Sequence, residues 1–316
     1  MLSTFYATLS PMLVLFTCIL FGYAMSKFKL LPKDTATALS RLEYYILGPA
    51  LSLSSLSKNC TPESISKEYV LILYGLAAGI LAIFISYLVA GFFAKDGYQN
   101  RVYKYAIAFG NFAYMGQPLV LAIFGDEMLY KYIVFTMPLT ILVTTWGVSI
   151  LIPTKRVKGK LLFLKNAVKF PTVMALTGVL IGITGLINVL PQFISQTLSS
   201  LGGCMGPIAM LLLGVVVGQY NLKEILTNKK AYYASIMRLI IAPTIIVAVF
   251  AVLGCSKTAL LLILFAFSAP HGLNTVVYPA SSGHDASLGA SMSIISHTFS
   301  IITMPIMYAL FTMLLG

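Results

Sequence analysis

Two short stretches set polar side chains and helix-breaking residues inside otherwise apolar sequence. The first is Phe109-Gly110-Asn111-Phe112-Ala113-Tyr114-Met115-Gly116-Gln117-Pro118-Leu119, and the second is Phe267-Ser268-Ala269-Pro270-His271-Gly272-Leu273-Asn274-Thr275. Hydrocarbon offers no partner to freed backbone groups, so an apolar segment interrupted by Gly and Pro belongs where it lines a protein interior or a water-filled cavity. Proline lacks an amide hydrogen and suits the first position of a helix. Pro118 and Pro270 are therefore each expected to open a half-helix after a break. The amides and dipole of such an N-terminus favour an anion, with no charged side chain needed. Asn111, Gly116 and Gln117 at one break, and His271, Asn274 and Thr275 at the other, complete the candidate site. For Asn111 and Gln117 a plainer role, satisfying backbone freed at a kink, stays open; equivalent breaks in the two halves favour a functional one. His271 could carry a coupled proton or, neutral, donate to a carbonyl, and both readings stand.

What is missing narrows the chemistry. The nine acidic residues map to turns or span ends, apart from Glu43, which has Arg41 close by and is expected at the membrane interface. A cation exchanger would need carboxylates at the midplane. No His-Glu-x-x-His, midplane Asp pair or Gly-x-Ser-x-Gly motif is present, which argues against an enzyme. Cys18, Cys60, Cys204 and Cys255 have neither metal-ligand spacing nor the look of a disulfide framework. They are expected to be inert, with no metal or cofactor.

The elements that must position these residues follow from composition. Of 316 residues, 59% are hydrophobic and only 9% charged, which excludes a soluble enzyme with one buried core and points to a polytopic, all-α membrane protein. Segments of about twenty apolar residues fall at 5–26, 36–57, 69–94, 102–125, 129–152, 168–190, 195–219, 232–253, 257–280 and 287–315. The first is expected to be retained as a helix, because no basic residue precedes it and no small-residue cleavage site follows.

Lys27, Lys29, Lys33 and Arg41 flank the first turn, Lys95, Arg101 and Lys104 the third, Lys155, Arg156, Lys158, Lys160, Lys165 and Lys169 the fifth, and Lys223, Lys229, Lys230 and Arg238 the seventh. The even-numbered turns hold only Lys58, Lys67, Lys131 and Lys257. This alternation places the odd turns in the cytoplasm and both termini outside the plasma membrane. It also explains the net charge of +12 without nucleic acid. Residues 1–152 form a first five-helix repeat, 153–167 a basic cytoplasmic loop and 168–316 a second, inverted repeat, since an odd number of helices reverses the orientation of the halves. Gly48-Pro49 recurs as Gly206-Pro207, and Pro118 as Pro270, at offsets near half the chain. Gly178, Gly182, Gly202, Gly203, Gly214 and Gly218 are expected to allow close helix packing, and Ser281 to Ser287 to form a turn with an N-cap.

Asn111-x-x-x-Met115-Gly116-x-Pro118-Leu119, followed by Phe124-Gly125, resembles the fourth-span signature of the auxin efflux carrier family. Pro270-x-Gly272, Gly283-x-Asp285 and Thr303-x-Pro305 are similar to its ninth and tenth spans, and Pro49-Ala50 and Pro207 also fit. The resemblance covers essentially the whole chain and implies a bile-acid-symporter-like fold: ten helices in two inverted repeats, with broken fourth and ninth helices that cross. It implies a transport domain moving against a scaffold that contains the second and seventh spans. It further implies an organic-anion substrate, auxin in plants and malate or malonate-type acids in bacterial relatives, contacted by Asn111. The short central loop is similar to that of the compact members. Gln117 stands where the family usually has an aliphatic residue, and His271 where plant carriers have glutamine, so the substrate's identity does not carry over. The expectation is a secondary active or facilitated carrier of a small organic anion working by alternating access in a lipid bilayer. Proton or sodium coupling and a homodimer are left open. A sodium-coupled symporter and a non-transporting ligand sensor are the alternatives.

Overall fold

A computed structural model describes residues 2–95, 97–152, 170–281 and 283–315; the basic loop 153–167 lies outside them. Among the described residues the chain is helical, and the only β-type pairing is an isolated antiparallel bridge between Gly110 and His271. It opens with α1 (Leu2–Lys27). The next helix is built from α2 (Thr35–Leu42) and α3 (Gly48–Asn59), joined by the π-helical turn Glu43–Leu47. After α4 (Pro62–Phe93) come α5 (Gly97–Ala108) and α6 (Gln117–Phe124), the latter entered through a π turn at Phe112–Gly116. A third π turn, Val143–Gly147, joins α7 (Asp126–Leu142) to α8 (Val148–Leu151).

The second half contains α9 (Phe170–Thr184), then α10 (Gln192–Gly203) and α11 (Met205–Gly218), which meet at Cys204, and the short α12 (Leu222–Leu226). α13 (Lys229–Ile236) and α14 (Ala242–Val252) are joined by the π turn Met237–Ile241. α15 (Lys257–Phe267) and α16 (Asn274–Ser281) flank the second break, and α17 (Ser287–Leu315) closes the chain. Among the described residues six helical stretches are long and apolar enough to cross a membrane: Thr4–Lys27, Pro62–Phe93, Asp126–Leu151, Gln192–Gly218, Lys229–Val252 and Ser287–Leu314. The interrupted and shorter helices lie between them.

Proline explains three of the four π turns. Pro49, Pro118 and Pro243 each occupy the second position of the α-helical piece that follows a π turn. A proline cannot donate to the carbonyl four residues back and its ring crowds that carbonyl; one extra residue in the preceding turn relieves both problems. At Val143–Gly147 there is no proline. There the Thr145 hydroxyl donates to the Ile141 carbonyl at 2.6 Å and the Thr144 hydroxyl to the Thr140 carbonyl at 3.0 Å, competing with the helix's own amides.

Contacts between turns sort them into two ends. At one end Lys58 lies 3.8 Å from Asp126, Lys131 pairs with Glu68 and Glu127, and the Ser64 and Tyr130 hydroxyls meet at 3.1 Å. At the other, Lys230 donates to the Phe93 carbonyl, the Tyr98 hydroxyl donates to the Leu151 carbonyl, and the Tyr98 ring stacks on His284. Within the turn expected there, Asp285 accepts from the amide and hydroxyl of Ser287, which holds its carboxyl below the usual carboxylate range.

The tightest packing runs along glycine. α1 lies against α11, and α3 against α9 and α10. A Cβ added at Gly214 would collide with the Ile19 carbonyl and come 2.6 Å from the Tyr23 amide; one at Gly182 would come 2.5 Å from the Cys60 carbonyl. Gly178, Gly202 and Gly218 are similarly pressed by Leu53 and Leu56, by Leu51, and by Ser26. Small residues let helix backbones touch where lipid supplies no hydrophobic drive to association. Gly203 departs from the expectation, with nothing within 4 Å of where its Cβ would stand. Gly214→Ala should therefore destabilise the protein by about 1–3 kcal/mol, the usual penalty of overpacking, while Gly203→Ala should be neutral. The melting temperatures of the two purified variants in detergent check this.

Candidate functional site

The two breaks meet. Between α5 and the π turn at Phe112, residues 109–111 leave the helix; between α15 and α16, residues 268–273 do so. There the Asn111 amide donates to the Pro270 carbonyl at 2.6 Å, beside the Gly110–His271 bridge. Gly110 is required by this approach, because a Cβ would sit about 2.5 Å from the Ala269 carbonyl and the Arg238 guanidinium. Pro118 falls just inside α6 as expected, but the helical path already begins at Phe112, with Asn111 as its cap residue. Pro270 opens no helix. It stands in the extended segment and presents its carbonyl to the partner break, while the second half-helix starts at Asn274.

A break leaves the last carbonyls of the preceding half-helix without partners. Arg238, fully buried on the π turn Met237–Ile241, takes them. Its Nη1 donates to the carbonyls of Ile107 at 3.1 Å and Ala108 at 3.0 Å, its Nη2 to Ala266 at 3.2 Å, and its Nε to Ala269 at 3.1 Å. One guanidinium thus ties the C-terminal ends of α5 and α15 together, where the helix dipole is negative. This residue was counted above among the bases flanking the seventh turn, and that assignment is corrected. The signal was available, since Arg238 lies inside the apolar run 232–253.

The histidines are set by their acceptors. His271 is buried, its backbone amide donates to Ser296 Oγ at 3.0 Å, and its Nδ1 lies 3.0 Å from the Ala106 carbonyl. His297 places Nδ1 2.7 Å from the Ser293 carbonyl and Nε2 3.3 Å from Asn111 Nδ2. A carbonyl only accepts, so each Nδ1 carries the hydrogen, and His297 Nε2 accepts from the Asn111 amide. Both rings donate from Nδ1 to the backbone, and His271 Nε2 is buried with no hydrogen-bond partner among the described residues. His297 was not among the expected site residues, because nothing in the sequence marks which face of a 29-residue helix meets a break.

The remaining expected residues divide. Thr275 is buried and donates to the Gly272 carbonyl. Gly116 accommodates the Tyr132 hydroxyl, which donates to the Phe112 carbonyl at 3.0 Å. Pro118 rests against Gly206. Asn274, half-buried, donates to the Tyr105 hydroxyl at 2.9 Å. Gln117 is buried and its Oε1 has no hydrogen-bond partner among the described residues. Gly110, Ala113, Tyr114, Asn274 and Tyr278 keep part of their surface accessible beside this crossing. Glu43 is corrected as well. It is 1% exposed rather than at the interface, while Arg41 is exposed and does not pair with it. Among the described residues no group of His, Cys, Asp and Glu could hold a metal ion, and the four cysteines are free thiols.

Comparison with known proteins bears on what such a crossing is for. An uncharacterized transporter of Methanocaldococcus jannaschii is 26% identical over 296 residues, covering 92% of this chain and 94% of its own. An uncharacterized transporter of Methanothermobacter thermautotrophicus is 25% identical over 304 residues, 96% of this chain and 98% of its own. The family described as "Membrane transport protein" matches residues 7–164 and 154–308. Apolar helices long enough to cross a bilayer, two of the shorter ones broken and joined by a buried arginine, are thus those of a membrane transporter, and the chain belongs to the auxin efflux carrier family of membrane transport proteins.

Proposed function

We propose that the protein carries a small organic anion, a carboxylate of the auxin or malate kind, across the plasma membrane by alternating access, as a transporter and not an enzyme. Arg238 carries this reading. It is a full positive charge buried at the crossing, held by four carbonyls and in no ion pair among the described residues. A buried charge left without a counter-ion makes an opposite charge the favoured guest. The half-helix N-termini near Asn111 and Asn274 add partial positive charge, and Asn111, Gln117 and Asn274 offer hydrogen bonds.

The proposed topology is ten crossings in two inverted five-helix repeats, 1–152 and 168–316, with both termini outside and a fold like that of the bile-acid symporters. Paired contacts support it: α1 on α11 has a counterpart in α9 on α3, and α4 on α7 in α13 on α17. The sorting of the turns into two ends agrees.

A sodium-coupled symporter would use break carbonyls to hold the ion. The guanidinium already occupies those of Ile107, Ala108, Ala266 and Ala269, which favours a carrier that needs no sodium. A ligand sensor would bind an anion without exchanging it.

Three outcomes are expected. In proteoliposomes loaded with malate or malonate, the wild type should show counterflow of the labelled acid, and replacing sodium with choline should leave the rate unchanged; binding without counterflow would favour the sensor. Asn111→Ala should abolish the exchange while the protein elutes from gel filtration as the wild type does, and unchanged exchange would remove Asn111 from the site. Arg238→Gln leaves buried carbonyls short of donors and should lower stability by about 3–5 kcal/mol, the usual penalty for breaking a buried charged network, as read by thermal unfolding in detergent.

A further inference from the structure

We propose that Glu43 is the proton-binding residue of the transport cycle, so that a proton travels with the anion; this rests on the anion-carrier reading above. Glu43 opens the π turn Glu43–Leu47 and is 1% exposed. Both carboxylate oxygens lack a hydrogen-bond partner among the described residues. From Thr35, where the helix begins, it lies about 12 Å along the axis at 1.5 Å per residue, well inside the span.

Among the described residues the surroundings hold no counter-charge. The π turn packs against α2, α3, α9, α10 and α11. α9, α10 and α11 contain no titratable residue; α2 contributes only Arg41, which is exposed, and α3 only Lys58, at its far end, where it faces Asp126. Tyr44 adjoins Glu43 in sequence, and Tyr114, on the π turn Phe112–Gly116, is close enough to Glu43 and to Tyr278 to couple to them electrostatically. These are neutral phenols. An ionised carboxylate there would be buried with no partner among the described residues, which is strongly disfavoured and favours the protonated form in this conformation.

The position ties the proton to the anion. Tyr114 is three residues from Asn111, within the π turn that leads out of the break, and keeps part of its surface accessible. Glu43 is therefore within electrostatic reach of the π turn that leads out of the crossing. An ionised Glu43 would repel a carboxylate bound at the crossing; a protonated one does not. The step is a balanced one. A proton from water on the side to which the site is open forms the O–H bond of Glu43 before the anion enters, and that bond breaks, returning the proton to water on the other side, after the anion has left. His297 has both ring nitrogens engaged, Nδ1 with the Ser293 carbonyl and Nε2 with the Asn111 amide, while His271 is held at Nδ1 by the Ala106 carbonyl.

Two measurements test this on the full-length protein, with Glu43→Gln as an isosteric variant and Glu43→Asp to restore the acid. Infrared difference spectroscopy of the reconstituted protein, titrated from mildly acid to mildly alkaline pH, should show a protonated-carboxyl C=O band that fades as pH rises, is absent in Glu43→Gln and returns in Glu43→Asp. A Glu43 that is ionised throughout, or protonated throughout, overturns the proposal. In malate-loaded and malate-free proteoliposomes, Glu43→Gln should keep counterflow but lose accumulation driven by a pH gradient, which for one proton per anion is worth about tenfold per pH unit. Gradient-driven accumulation that survives in Glu43→Gln also overturns it. If the wild type exchanges neither malate nor malonate, the anion reading fails by itself, and the infrared titration still decides whether Glu43 binds and releases a proton.

Discussion

The architecture depends on one guanidinium. Interrupting a helix inside a bilayer strands carbonyls that lipid cannot satisfy, and this chain interrupts two helices at the same place. Arg238 answers both with a single side chain, reaching Ile107 and Ala108 on one side and Ala266 and Ala269 on the other. Its five donors in a planar fork suit this better than a lysine's compact ammonium would. The demand propagates outward. Gly110 must lack a side chain for the fork to approach, and the π turn Met237–Ile241 is the place on its helix from which the arginine is presented.

Around that joint the protein combines a stiff part and a compliant one. Where α1 meets α11, and where α3 meets α9 and α10, glycines bring backbone against backbone. Close-packed contacts of this kind do not deform continuously. The π turns at Glu43, Phe112 and Met237 have a different character. Each precedes a proline that leaves the helix one hydrogen bond short, and each carries or adjoins a functional candidate: Glu43 itself, Asn111, and Arg238. π turns are frequent at functional positions because they aim side chains that a regular helix would turn away.

The sequence was legible where physics acts locally. Apolar length located the helices, the interrupting Gly, Pro and Asn located both breaks, and five of the six glycines expected to pack closely do so. It was less legible where the outcome depends on which helix faces which. Arg238 and Glu43 sit within a turn or two of basic clusters, so each reads as an interface residue until a neighbouring helix is known to cover it. Pro270 shows the same limit. Its place at a break was readable, but whether it starts a helix or lends its carbonyl to the partner break is decided by Asn111, more than 150 residues away by the numbering of the chain. His297 had no local signature at all, since a histidine on a long apolar helix is identified only by what lies opposite.

The buried arginine has one more effect, on what does not pass. A crossing of broken helices lined by accessible polar groups is where water would thread a membrane protein, and a water file conducts protons. A positive charge buried at the crossing raises the electrostatic barrier to hydronium and to metal cations alike, as arginines do in water-selective pores. Arg238 thereby disfavours the passage of a free cation through the joint where the two broken helices meet.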